Sequence, residues 1–263
     1  MLDLLGALAG WSVPAFGALL IAVQMAAREA GERWGRRRKL RGTDAEEGAG
    51  LVVGGILGLL AFILALTLST AAGLETGRRD GSLAEANAIR TSWLLAGSID
   101  EQEGAAIAAQ LVTYNDLRRE YVALERGSAR IDEVTAETNA LQAAIWANAS
   151  ALLQRKDDGA SQALAASLTD LFAATAGLRF AMQYSLPGKL VVLLLVVTVI
   201  GSGAIGYQLG LMRKSERGVS LVMSIVWTSV MLLILDMGFA RIGSAGADDF
   251  AYEWTAETFA ARP

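Results

Sequence analysis

Residues 48–74 read GAGLVVGGILGLLAFILALTLSTAAGL, a run without one charged side chain. At 1.5 Å rise per residue, about 20 such residues cross the roughly 30 Å hydrocarbon core of a bilayer. The run therefore reads as a transmembrane helix. Outward from it, charged residues make up 19% of the chain, yet they also nearly vanish from Leu4–Ala27, Leu190–Met212 and Gly218–Leu235. The sequence predicts four spans, at about 4–27, 48–74, 189–212 and 218–240. They form two hairpins, 1–74 and 188–240, around an extramembrane insert at 75–187, and an acidic, aromatic tail follows at 241–263. No stretch alternates with the period of a strand, and the chain has 3 prolines. The expected fold class is all-α: a polytopic membrane protein with a helical domain inserted between spans 2 and 3.

The first apolar run is not read as a cleaved secretory signal. Its only preceding side-chain charge is Asp3, whereas a signal needs a positive start and a shorter core. The cations follow it instead: Arg28, Arg33, Arg36, Arg37, Arg38, Lys39 and Arg41, with Arg213, Lys214 and Arg217 between spans 3 and 4. Short loops rich in Lys and Arg stay on the cytoplasmic side. This predicts an inner-membrane, multi-pass protein with both basic loops cytoplasmic and with the insert and both termini outside.

Composition excludes several kinds of chemistry. A net charge of -4 gives no basic surface for nucleic acid. With no His and no Cys, the commonest metal ligands and general bases are missing. Phosphate-binding glycine loops and nucleophile elbows are absent too. The expectation is a non-enzyme with no catalytic residue, metal or cofactor, whose partners are lipids, small ions and further copies of itself.

Within the insert, span 2 is expected to continue as a helix to about Ala96, although Gly77 and Gly81 oppose this by about 1 kcal/mol each. Three helices follow. Ser98 and Glu101 have capping-box spacing, and Ile107, Leu111, Tyr114, Leu117, Tyr121 and Leu124 then draw one apolar stripe up to Gly127. A second stripe runs through Ile131, Val134, Thr138, Leu141, Ile145, Asn148 and Leu152. The third passes Leu164, Leu168, Leu171, Leu178 and Met182, and ends before Pro187-Gly188. The tail, with Phe250, Tyr252, Trp254 and Phe259 among acidic residues, reads equally as an interfacial helix or a frayed end.

Inside the spans, Gly50, Gly54 and Gly58 recur every four residues, as do Ser202, Gly206 and Gly210. Such faces let another helix backbone approach closely, and helix packing is their common use. Asp236 is the acidic residue in span 4, an ionisable group that reads as functional by default, although near the end of its span it can also reach the headgroups. Gln24, Thr67, Ser69 and Thr70 are polar without charge, and hydrogen bonding between or within helices accounts for them.

Gly58-Leu59-Leu60-Ala61-Phe62, Arg78-Arg79, Glu85-Ala86-Asn87-Ala88-Ile89, Trp93-Leu94 and Tyr114-Asn115-Asp116-Leu117-Arg118 together resemble the bacterial bestrophin-like membrane protein family. The Glu-Ala-Asn-Ala-Ile block is the most specific element, and the two-span, insert, two-span layout covers nearly the whole chain. Bestrophins are pentameric anion channels whose second span lines the pore. The resemblance therefore implies a homo-oligomeric ion channel, a pentamer, with Ile56, Ile63, Thr67 and Thr70 of span 2 toward the pore. In bestrophins the insert is cytoplasmic, opposite to the orientation that the charge bias predicts here. The alternative function is a membrane-anchored sensor or scaffold whose outer helical domain binds a partner.

Overall fold

The computed structural model describes residues 13–40, 46–99, 102–125, 127–156, 158–213, 217–239 and 249–261. Among these there is no strand. The helices are α1 (Val13–Leu40), α2 (Glu46–Ala96), α3 (Gln102–Ala123), α4 (Arg130–Arg155), α5 (Gly159–Gln183), α6 (Gly188–Leu211), α7 (Arg217–Gly238) and α8 (Phe250–Ala260). Three helical segments are long and apolar enough to cross a membrane: Gly48–Ala96, Gly159–Leu211 and Arg217–Gly238. The all-α class and the membrane character stand on these. The first predicted span lies partly outside the described residues.

The chain divides into two compact units, Met1–Ala72 with Leu186–Gly238, and Gly73–Ser185 with Phe239–Pro263. Unit 1 holds α1, the first part of α2, α6 and α7. Here the sequence reading of a basic loop after span 1 needs correcting, because Arg28 to Lys39 continue α1 as helix. The segment has no proline, and Arg33–Glu29 at 3.3 Å and Arg36–Glu32 pair one turn apart. Arg37, Arg38 and Lys39 then occupy the last turn, where the helix dipole favours cations.

Glycines make the seam between α1 and α6. A methyl group built on Gly31 would overlap the Gly203 carbonyl oxygen, and one on Gly35 would overlap that of Tyr207. From the other side, Gly206 and Gly210 sit against the carbonyl oxygens of Arg28 and Glu32. Backbone meets backbone along two turns, which brings many weak dispersion contacts into range. At the end of α7, the Leu186 N–H donates to the Gly238 carbonyl at 3.0 Å. The first part of α2 buries Val53, Leu60, Thr67 and Ala71, one narrow stripe flanked by half-buried residues such as Ile56 and Ile63, and its opposite side is exposed among the described residues.

Unit 2 is held differently. The later part of α2, with α3, α4, α5 and α8, encloses an apolar core. Ile89, Ile107, Leu111, Tyr114, Ile145, Leu152, Leu164, Leu168 and Leu171 are all at most 1% exposed. Each buried aliphatic side chain of this size contributes about 1.5–3 kcal/mol relative to exposure. Gly127, with φ of 82°, adopts the left-handed conformation in the turn between α3 and α4. Asp158 caps α5 by accepting from the Ser161 N–H at 2.9 Å.

Two local expectations are revised. The Ser98 hydroxyl donates back to the Leu95 carbonyl at 2.7 Å, so it closes α2 where a capping-box residue would open α3. Glu101 lies outside the described residues. The tail is a helix, α8, and it is neither frayed nor free: its Tyr252 is fully buried in the core of unit 2. One buried aromatic ring, with its hydroxyl hydrogen-bonded to Glu85, outweighs the acidic look of the segment.

Candidate functional site

Two of the motif blocks quoted for the family resemblance, Glu85–Ile89 and Tyr114–Arg118, meet in the interior of unit 2. On α2, Arg78, Ser82, Glu85 and Ile89 follow at spacings of four, three and four, so they share one helix face, and all are buried. On α3, Tyr114, Arg118 and Tyr121 do the same, within the stripe begun by Ile107 and Leu111. Arg118 Nε donates to Glu85 Oε1 at 2.7 Å, with the two side chains 3% and 0% exposed. The Tyr252 hydroxyl of α8 donates to the other carboxylate oxygen, Glu85 Oε2. Both acceptor atoms of one buried carboxylate are thus taken up by two different helices.

Further bonds orient this triad. Asn115 Nδ2 donates to the Tyr252 carbonyl at 3.0 Å. The Thr255 hydroxyl reaches the Ala86 carbonyl at 3.3 Å. The Arg118 guanidinium carbon lies 4.4 Å from the centre of the Tyr121 ring, a cation–π contact in a desolvated setting. Beside them the Tyr114 hydroxyl meets Thr175 Oγ1 at 2.7 Å and receives Gln142 Nε2 at 2.7 Å. At the rim, Arg119 pairs with Glu253 and, at 3.6 Å, with Asp249, a weaker solvent-exposed clamp on α8.

The electrostatics follow from burial. Desolvation, reinforced by the Glu85 charge, raises Tyr252 well above the ordinary phenol range. The same two causes push Tyr114 up to about 12. For Arg118, burial acts to lower the pKa, but Glu85 and the neighbouring tyrosines overcome it and the net direction is upward. Both phenols therefore stay protonated at neutral pH, and the Tyr252 hydroxyl can donate to the carboxylate. The cluster is enclosed, and no group of acidic, His or Cys side chains among the described residues could hold a metal ion. What this arrangement does chemically is tie α2, α3 and α8 together.

The other sequence-selected residues are spread out. Of the motif block, Ala86 and Ile89 lie in the core, Ala88 is half-buried and Asn87 is exposed. In α2, Ile56 and Ile63 are half-buried, Thr67 is 3% exposed with its hydroxyl on the Ile63 carbonyl, and Thr70 is exposed, bonded to the Leu66 carbonyl at 2.9 Å. Gly206 and Gly210 lie in the α1–α6 seam, and Ser202 bonds its own helix at the Thr198 carbonyl, 2.9 Å away. Gly54 and Gly58 have open space where a side chain would be, and Gly50 faces Gln208. Asp236 is half-buried in the last turn of α7 and has an interaction partner.

Sequence reasoning quoted Arg118 within a motif block but missed its pairing with Glu85, although a signal for the pair was present, and it missed the role of Tyr252. Position 118 falls at the core spacing between Tyr114 and Tyr121, and position 85 at the core spacing before Ile89. A cation and an anion on the buried faces of two neighbouring helices call for each other. Tyr252 carried no comparable signal, because its partner is 167 residues away. No family model, curated protein or solved structure matches this chain.

Proposed function

We propose that this protein is a homo-oligomeric, bestrophin-like membrane channel for small ions, with α2 of each copy turned toward a shared central path. In this reading α1 is the first of four spans, unit 2 is the inserted helical domain, and the basic end of α1 lies in the cytoplasm. The observation that carries it is the open glycine face of α2. Only 17% of the most apolar window of that helix is buried within the chain. Among the described residues, nothing lies within 4 Å of a methyl group built on Gly54, Gly55 or Gly58. Leu59, Phe62, Leu66 and Thr70 follow at spacings of three, four and four on the same open side. Small residues favour close approach of a second backbone, and the apolar rings and branches would make a constriction that gates by dewetting. Thr67, buried in the chain, supports the helix from behind, and Thr70 takes the exposed polar position.

The test is the mass of the detergent-solubilised protein by light scattering, corrected for bound detergent, followed by planar-bilayer recording. A ring of about five copies that conducts supports the proposal. A monomer or dimer leaves no central path, and a silent bilayer removes conduction. Either result shifts the function to a membrane-anchored scaffold that acts through unit 2.

A further inference from the structure

A second polar array lies wholly inside unit 1 and is independent of the open face of α2. On α1, Gln24, Arg28 and Glu32 recur every four residues and are 0%, 3% and 4% exposed. On α7, Ser220, Ser224 and Thr228 recur at the same interval and are 9%, 6% and 3% exposed. The two helices run antiparallel in this region: Gln24 Nε2 donates to Thr228 Oγ1 at 2.9 Å, Ser224 Oγ lies 3.9 Å from Met25 Sδ, and Arg217 stands 3.8 Å from Glu29. Gly206 and Gly210 of α6 close the lane from the third side.

The atoms in this lane are unevenly matched. None of the three guanidinium nitrogens of Arg28 has a hydrogen-bond partner among the described residues. Its Nη2 stands 3.4 Å from Glu32 Oε2, an ion pair without hydrogen-bond geometry. Gln24 Oε1 and Glu32 Oε2 on either side of it are acceptors with no donor. Ser224 spends its hydroxyl on a methionine sulfur, a weak acceptor that it can leave. A buried guanidinium whose N–H groups lack acceptors is costly to keep from water even beside a carboxylate. Donors without acceptors and acceptors without donors, one turn apart on one face, are complementary needs that a bridging water would meet.

We propose that the seam between α1, α6 and α7 is a hydrated lane within each copy, centred on Arg28, which takes a small inorganic anion in preference to a cation. The charges set the sign. Arg28 and the exposed Arg36 share the one carboxylate of Glu32, so these three side chains together carry one excess positive charge. Narrowness sets the size, since the α1 and α6 backbones meet at Gly206 and Gly210 and leave no space there for a larger solute.

The chain has no cysteine of its own, which makes the test direct. Ser224→Cys is placed in the lane and Ile234→Cys, at a fully buried apolar position of the same helix, serves as the dry control. Each full-length variant in proteoliposomes is treated with membrane-impermeant methanethiosulfonate reagents, one negatively charged and one positively charged. The expected result is that Cys at 224 reacts and Cys at 234 does not. The negative reagent should be faster by about tenfold, the local enrichment a charged cleft produces. Adding Arg28→Gln should abolish that preference, while Arg28→Lys, which keeps the charge, should retain it and guards against a misfolded Gln variant. Equal protection at 224 and 234 overturns the lane. Reaction at 224 with no preference for sign, or a preference that survives Arg28→Gln, overturns the anion site.

Discussion

The two units solve the packing problem with opposite materials. In unit 1 the tightest contact is built from what is missing: Gly31, Gly35, Gly206 and Gly210 bring the α1 and α6 backbones together. In unit 2 the interior is filled by side chains, with one charged pair enclosed among leucines, isoleucines and tyrosines. On the proposed placement, with unit 1 in lipid and unit 2 in water, the contrast follows from the solvent each surface meets. Where helices would otherwise face lipid, exchanging tails for side chains gains little, and close approach supplies the attraction. Where they would face water, removing apolar area drives association. The open glycines of α2 stand between these cases, since they have the spacing of a seam and no second helix among the described residues upon them.

The hardest blow to unit 2 should come from Arg118→Ala, which strands Glu85 without its cation. A loss of about 3–5 kcal/mol is expected in denaturant unfolding followed by circular dichroism. The double variant Glu85→Leu/Arg118→Met should lose clearly less, because no buried charge is left alone. If the two variants are equally destabilised, the pair is not held in an apolar interior and the contrast between the units fails.

Alkaline pH offers a second probe of the same interior. Tyr114 titrates near 10 when unfolded and at about 12 in the fold, so above pH 10 the folded state holds more protons than the unfolded one. Its contribution is complete below about pH 10 and is lost as pH rises toward 12, roughly 2–3 kcal/mol in all. Tyr114→Phe should flatten that part of the stability profile. An unchanged alkaline slope in the variant would place the hydroxyl in contact with solvent.

For unit 1, Gly206→Ala inserts a methyl group against the Arg28 carbonyl. Overpacking of this kind costs about 1–3 kcal/mol, visible as a lower thermal midpoint in detergent. The smallest effect is reserved for Gly58→Ala, where nothing in the chain obstructs the methyl group. The monomer should gain up to about 1 kcal/mol of helix stability, while the apparent mass by light scattering falls if copies meet on this face. A stable, undiminished oligomer in Gly58→Ala would show that no second backbone packs at Gly58 and would sharpen the difference between a seam and a bare glycine stripe.

Much of the helical layout could be read directly from the residues. The stripe Ile107, Leu111, Tyr114, Tyr121 does line the buried face of α3, and Gly127 does mark a turn. The length of α1 could not be read in this way, because a run of cations looks like a loop until i,i+4 pairs with Glu29 and Glu32 make it a helix. Half of the candidate site was legible: Glu85 and the Tyr114 to Arg118 block stood out as motifs, but as two unconnected pieces. Arg28 was counted for topology alone, although its place one turn after Gln24 and before Glu32 already put it on a single face.

What the residues determine by themselves is whatever repeats locally. Apolar runs of span length, helical period, turn residues and the basic bias after the first run are each set within one or two turns of chain. Tertiary structure alone decided which of two similar glycine stripes meets a backbone, that Tyr252 of the tail reaches Glu85, and that Arg28 is buried while Arg36 to Arg38 are not. The reason is physical: periodicity says which face of a helix is to be covered, but the covering partner is chosen by shape and charge across distances in sequence that no local pattern spans.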